Sequence, residues 1–325
     1  FQAEDGIRDF CLSRGLGDVY KRQSFLSHLK MASAGVFVAP FSLLEDNTSL
    51  KKALLGNVGL QLFSAPVLLK ENVEGAFELL QEMGYTSVET HGPYAFSSET
   101  TRKYGDYKSG LYGNNPSGFK QQIGNLKVKS MHSDLDTLEQ KLGAFSEAAQ
   151  SLGAQYLVLP MIPDELRGDL EAYKKLAERF NAIGRSCQKE GIRFAYHNHG
   201  FGFSPVDDIV PFHYLMEQTD PNYVFLEMDI FWTTAAGQDP KSLLAQYPNR
   251  YKLMHIKDMI PNDLVINEQE GFRSLYSFFK QVTSCGSGSI DIEPVAIVQP
   301  ITGGKAPAAP PITIFCGVLL FNQIV

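Results

Sequence analysis

Residues 191–203 read GIRFAYHNHGFGF. A glycine stop opens the segment, a short apolar run follows from Ile192 to Tyr196, and the run ends on His197 and His199. Directly before it lies Asp169–Glu190, where Leu170, Tyr173, Leu176, Ala177 and Phe180 recur at three- and four-residue spacing, the period of an amphipathic helix. A helix stopped by glycine and followed by an apolar strand is one unit of a β/α repeat. The same unit recurs outward in both directions. Candidate strands are Asn57–Phe63, Tyr85–Thr90, Leu126–His132, Gln155–Pro160, Ile192–His197, Tyr223–Asp229 and Tyr251–Ile256. Helical stretches Glu71–Met83, Asp136–Leu152 and Asp169–Glu190 lie between them, and Gly84, Gly153 and Gly191 close these helices. Strands this apolar, separated by helices, imply a parallel sheet covered on its outer face.

A chain of 325 residues suits two average domains or one large barrel. Seven units in succession favour a (β/α)8 TIM barrel over a doubly wound sheet. A dinucleotide-binding domain requires a G-x-G-x-x-G turn after an early strand, and none is present; GFGF at 200–203 follows the fifth strand and lacks the third glycine. The barrel is expected over 57–300. Its eighth strand falls near or beyond residue 300, in a tail with no charged residue after Lys305 that ends APAAPPITIFCGVLLFNQIV. Residues 301–325 read either as a Pro-rich linker and a buried strand or as an aberrant segment from a slipped reading frame. The apolar TIFCGVLLF fits the strand's space and brings no carboxylate.

The N-terminal side also stands apart. Residues 1–23 lack helical or strand periodicity and resemble a translated sequencing or cloning adapter; they are set aside from the fold. Residues 24–56 carry an apolar run, MASAGVFVAPFSLL, after a basic start. With Lys21-Arg22 before Ser24-Phe25-Leu26 this reads as a twin-arginine-like export signal and linker, hence a periplasmic or exported protein. A buried N-terminal helix in a cytoplasmic protein is the alternative. The run is too short for stable membrane insertion. A net charge of −7 opposes an electrostatic nucleic-acid binder. Cys11, Cys187, Cys285 and Cys316 have no paired spacing, so neither a zinc knuckle nor a disulfide framework is indicated.

Catalytic groups of a barrel gather at the carboxyl ends of its strands. Five of the seven histidines occupy such ends: His91, His132, His197, His199 and His255. Glu89, Glu227, Asp229 and Asp258 join them at the same level. Imidazole and carboxylate converging on one mouth suit a divalent cation, although any one of these histidines alone reads equally well as structural. The loop from His91 to Gly118 is long for a βα connection and carries Tyr94, Phe96, Tyr104, Tyr107 and Tyr112. It reads as a lid with aromatics for a sugar ring, or as packing over the barrel top. His91, Tyr94, His199 and Trp232 are the expected substrate-binding residues.

Together NVGLQLFS (57–64), EMGYTSVE (82–89), GIRFAYHNHGFGF (191–203), TDPNYVFLEMDIFW (219–232) and YPNRYKLMHIKDM (247–259) resemble the sugar phosphate isomerase/epimerase family, the xylose isomerase-like TIM barrels. The resemblance implies one divalent metal ion (Mn2+, Mg2+, Co2+ or Zn2+) held by His197, Asp229 and His255. Relatives often carry Glu where His197 stands, with His199 the nearby substitute, and a second acid where Gly202 stands. Their last ligand, a Glu on strand eight, has no counterpart after Glu293. The implied activity is isomerisation or epimerisation of a sugar or sugar derivative, by proton transfer next to a carbonyl through a metal-stabilised enediolate. Glu89, His132 and Lys257 are the expected proton-transfer and substrate-orienting residues. A lyase eliminating the aglycone from keto-glycosides is the alternative, as is a catalytically impaired sugar-binding barrel. The absence of an evident Arg/Lys cluster at strand ends favours an unphosphorylated carbohydrate, and a homo-oligomer is compatible with the fold.

Overall fold

The computed structural model of the protein describes residues 58–97, 110–264, 266, 272–283, 285–292 and 312–316. Eight parallel strands close into a barrel: β1 (Val58–Gln61), β2 (Ser87–His91), β3 (Lys127–His132), β4 (Tyr156–Leu159), β5 (Arg193–His197), β6 (Val224–Asp229), β7 (Tyr251–Ile256) and β8 (Thr313–Cys316). Neighbours in sequence are neighbours in space, and β8 lies between β7 and β1. The segments read as adapter and export signal, the loop tyrosines Tyr104 and Tyr107, Glu293 and most of the tail lie outside the described residues. Among the described residues no helix is long and apolar enough to cross a membrane.

The seven expected strands all form, within a few residues of their expected bounds. The first is shorter: after Gln61 the chain enters a single 3-10 turn, Leu62–Ser64, because the Gln61 carboxamide accepts from the Phe63 N–H at 2.9 Å. Helices α1 (Pro66–Glu71) and α2 (Val73–Glu82) are divided by Asn72, whose side chain accepts from the Gly75 N–H and so starts a new helix. Next come α3 (Pro116–Gln122), α4 (Leu135–Gln140) and α5 (Leu142–Leu152). Asp136–Leu152 is therefore two helices, broken at Lys141, whose backbone leaves the helical region. The long α6 (Leu170–Lys189) buries Tyr173, Leu176, Ala177 and Phe180 on one face, as its spacing predicts. Helices α7 (Pro211–Gln218), α8 (Ile230–Ala235), α9 (Pro240–Gln246) and α10 (Phe272–Phe279) follow. A two-stranded antiparallel ribbon pairs Asp258–Met259 with Val282–Thr283 beside the barrel.

Tyr156, Val158, Ala195, Leu253 and Phe315 pack together as an apolar layer inside the barrel. Phe315 comes from the tail segment set apart in the sequence, so the eighth position is filled from residues 313–316, beyond the expected limit of 300. Its register runs Thr313↔Leu253 through Cys316↔Ile256 on one side and Val58↔Ile314 through Leu60↔Cys316 on the other. Gly59 lies opposite Phe315, where an added Cβ would stand 2.7 Å from the Phe315 ring and 2.6 Å from Ser87 Oγ. Only a residue without a side chain lets the closing strand approach there.

Truncating a fully buried Phe costs about 3–5 kcal/mol. Phe315→Ala is therefore expected to lower unfolding stability by that amount in urea denaturation. An unchanged midpoint would contradict the placement of 313–316 in the barrel wall.

Candidate metal centre

Alternate residues of a strand face one side, so each barrel strand sends its last inward residues to the carboxyl-end mouth. From the strand ends come Gln61, Glu89, Ser130, His132, His197, Glu227 and His255, all buried. Glu89 and Glu227 have no exposed surface at all. Glu89 Oε1 accepts from Gln61 Nε2 at 2.7 Å and stands 2.7 Å from His255 Nε2 and 2.9 Å from His132 Nε2, while Oε2 accepts from Ser130 Oγ. Glu227 Oε2 is 2.7 Å from His132 Nε2, 2.9 Å from His197 Nδ1 and 3.4 Å from His255 Nε2. Its other oxygen, Oε1, is buried and has no hydrogen-bond partner among the described residues.

Burial raises the Glu89 carboxyl, but the His132 and His255 imidazoles outweigh it and hold the group well below the usual carboxylate range. For Glu227, burial and then the negative Glu89 push the carboxyl up. Burial alone would lower His132; Glu89 and Glu227 on either side instead lift it to about 10. Burial takes His197 well below its ordinary value.

One donor atom each from His132, His197, Glu227 and His255 fall within 4.8 Å of one another. Three imidazoles, one carboxylate and a partnerless carboxylate oxygen fit a divalent cation, since nitrogen and oxygen donors at this spacing match Zn2+ and its neighbours in the first transition row. Expected ligands His197 and His255 belong to this cluster. His132, expected as a proton-transfer residue, belongs to it as well. Asp229 stands at its edge, with Oδ2 3.6 Å from His197 Nε2 and 3.8 Å from His255 Nδ1. Asp229 is otherwise engaged: Oδ1 caps α8 by accepting from Phe231 and Trp232 N–H at 3.0 and 3.2 Å, and Oδ2 holds Lys257 Nζ at 2.5 Å. The carboxylate in the cluster is thus Glu227, two residues earlier on the same strand face. That shared face was the available signal, because both acids of LEMD point to the mouth.

Glu89, expected in proton transfer, has both oxygens engaged by donors and faces the Nε2 atoms of His132 and His255. Asp258 leaves the mouth altogether; its carboxylate accepts from the backbone N–H of Met259, Gly286, Gly288 and Ile290 and organises that loop. Tyr94 is 3% exposed and donates to the His132 carbonyl at 3.0 Å, stacked on Phe96, so it braces the β2–β3 corner rather than offering a face to substrate. Trp232 is likewise fully buried against Phe231 and Phe279. His91 and His199 are half-buried at the rim. Gln61 and Ser130, which the sequence reading did not single out, complete the Glu89 shell.

The closed parallel barrel places its buried imidazoles and carboxylates at the carboxyl-end mouth, where TIM barrels carry their functional sites. The chain belongs to the xylose isomerase-like TIM barrel family, whose sequence profile matches residues 77–296. An inosose dehydratase of Clostridium beijerinckii is 28% identical over 172 residues, covering 48% of this chain and 57% of that protein. The chain therefore spans somewhat over half the length of this curated relative. A sugar phosphate isomerase/epimerase of Parabacteroides distasonis shares the fold, with a TM-score of 0.53 and 24% identity over 74% of this chain and 91% of that one. The IOLI protein, solved with a zinc atom bound, has a TM-score of 0.52 and 14% identity over 80% of this chain and 87% of that one.

In the metal-free protein His132 carries its proton at neutral pH, being held at about 10. An imidazole must lose that proton to ligate a metal. Zn2+ binding at pH 7 is expected to release a proton and to tighten as pH rises, measured by calorimetry in buffers of different ionisation enthalpy. Glu227→Gln is expected to abolish stoichiometric binding, and Glu89→Gln to weaken it by removing a negative charge that faces the same His132 and His255 Nε2 atoms. Undiminished binding in Glu227→Gln would contradict the assignment of the cluster.

Proposed function

We propose that the barrel mouth holds one divalent cation at His132, His197, Glu227 and His255 and catalyses proton transfer beside the carbonyl of a small polyhydroxylated ketone, with elimination from the adjoining carbon. The buried cluster with its partnerless Glu227 Oε1 carries this reading. A cation bound there supplies Lewis-acid polarisation of the substrate carbonyl. Mn2+, Mg2+, Co2+ and Zn2+ all remain candidates, and the three imidazoles favour Zn2+ or Co2+ over Mg2+.

Lys257 stands two residues beyond His255, at the mouth, with its ammonium against Asp229. Asp229 is itself fixed by the first turn of α8, so the ammonium is aimed by a rigid partner. In this scheme Asp229 Oδ2 takes the proton from the carbon beside the carbonyl, and Lys257 donates a proton to the departing oxygen as the carbon–oxygen bond breaks. The proton then passes from Asp229 back to the Lys257 amine it faces, so that water leaves and both groups are restored. Glu89 takes no proton in this scheme; it supplies negative charge beside the two imidazoles it faces. The apolar layer beneath, with Phe315 and Leu253, closes the bottom of the site and keeps water from entering through the barrel.

Elimination is preferred over isomerisation because the curated relatives are named for loss of water from a ring ketone. Isomerisation or epimerisation would use the same proton transfer without expelling a group, and loss of an aglycone from a keto-glycoside would use the same elimination with another leaving group. Incubation of the full chain with 2-keto-myo-inositol and Zn2+ or Mn2+ in deuterium oxide separates these outcomes. Elimination yields a conjugated, ultraviolet-absorbing product; isomerisation yields deuterium exchange without it; a 3-keto-glucoside tests aglycone release. Lys257→Met is expected to lower kcat about 10²–10⁴-fold with metal binding intact. Tight metal and sugar binding with neither exchange nor elimination would identify a binding barrel and overturn the proposal.

A further inference from the structure

His91 ends β2 and His199 lies two residues beyond β5, on strands separated by β3 and β4 in the barrel wall. His91 follows Glu89 by two residues on β2, and His199 follows His197 by two beyond β5, its ring centroid 4.6 Å from that of His197. Both are half-buried, whereas the three cluster imidazoles are buried. Both are tied down in the same way. His91 Nδ1 lies 2.9 Å from the Gly92 carbonyl oxygen, and His199 Nδ1 bonds the Pro160 carbonyl oxygen.

A backbone carbonyl only accepts hydrogen bonds, so each Nδ1 must carry the hydrogen. In the neutral ring that leaves Nε2 as a lone-pair acceptor. Neither Nε2 bonds any described residue. Beside His91, the Phe63 ring stands edge-on at 5.2 Å and is 40% exposed, an unusual exposure for a large apolar side chain beside a polar mouth. Beside His199, the buried Trp232 ring lies 5.6 Å away and fixes the ring from behind.

We infer that His91 and His199 are a pair of hydroxyl-reading residues, whose unprotonated Nε2 atoms accept hydrogen bonds from an uncharged, hydroxyl-rich substrate and disfavour its phosphorylated counterpart. A hydroxyl offers the hydrogen that each lone pair needs. A phosphate dianion offers only acceptors, and an acceptor set against an acceptor loses both hydrogen bonds to water without replacing them. The exposed Phe63 face supplies the apolar surface against which the C–H side of a sugar or cyclitol ring lies. This deepens the proposed function by fixing the substrate class, and it rests on the same mouth being the substrate site.

Two measurements on the full chain test it. Long-range 1H–15N correlations of the 15N-histidine protein at pH 8 report the tautomers directly and need no variant: the Nδ1–H form is expected for His91 and His199, and an Nε2–H form at either overturns the inference. Calorimetric titration then uses myo-inositol and myo-inositol 1-phosphate as probes, with Zn2+ present. The uncharged probe is expected to bind more tightly, and His91→Phe and His199→Phe each to weaken it about 3–10-fold, the worth of one neutral hydrogen bond. His199→Gln, whose carboxamide oxygen again accepts, is expected to recover most of that loss. Tighter binding of the phosphate, or uncharged-probe affinity indifferent to both substitutions, overturns the inference. Binding that depends on both histidines in a protein that eliminates nothing from 2-keto-myo-inositol supports the hydroxyl-reading pair and sinks the elimination.

Discussion

Glu89 and Glu227 are two carboxylates without solvent contact at one end of a barrel, and the His132 imidazole stands within 2.9 Å of both. Removing a carboxylate from water costs several kcal/mol unless opposite charge and hydrogen bonds replace the lost hydration. Here the replacement comes from β1, β3, β5 and β7 at once, through Gln61, Ser130 and the three imidazoles. None of these elements could shift by one residue without turning its side chain to the outer face. The polar cluster therefore constrains the registers of the strands that bear it, and the apolar layer below it, closed by Phe315, gives those strands a common floor.

The two acids divide the work. Glu89 accepts from Gln61 and Ser130 and faces the Nε2 atoms of His132 and His255, so it supplies negative charge beside the imidazoles. Glu227 shares one oxygen with the imidazoles and leaves the other without a partner. A network satisfied by hydrogen bonds alone has no reason to strand a buried carboxylate oxygen, because an unpaired buried acceptor is costly. A cation held among the three imidazoles and Glu227 would displace the raised His132 proton. Asp229, at the rim of the cluster, is committed to the first turn of α8 and to Lys257. In that position it links the metal centre to a cationic side chain at the opening.

Much of this is legible in the sequence. The apolar strand runs, the glycine stops, and the five histidines at strand ends follow from two periodicities and one rule of barrel anatomy. Gly84, Gly153 and Gly191 do take positive φ, as a helix stop requires. The division of labour was less visible. Strand parity places Glu227 and Asp229 on one face but says nothing of which oxygen a helix N-terminus will claim. Likewise Glu89 reads as a mobile acid until its four donors are seen together. Tyr94 and Trp232 look like sugar platforms because aromatics beside a loop often are; packing from Phe96, Phe231 and Phe279 covers them instead. The eighth strand was the hardest, since TIFC carries neither the carboxylate nor the helix spacing that marks the others, and it is recognised only by the gap it fills between β7 and β1.

The account stands on one cation at the cluster. Crystals of the full chain soaked in Zn2+, with diffraction measured on either side of the zinc absorption edge, locate it without reference to turnover. A single anomalous peak bounded by His132, His197, Glu227 and His255, with Zn–N distances of about 2.0–2.1 Å, is the predicted result. A peak on other residues, or none at the cluster with Glu227 still partnerless, would contradict it.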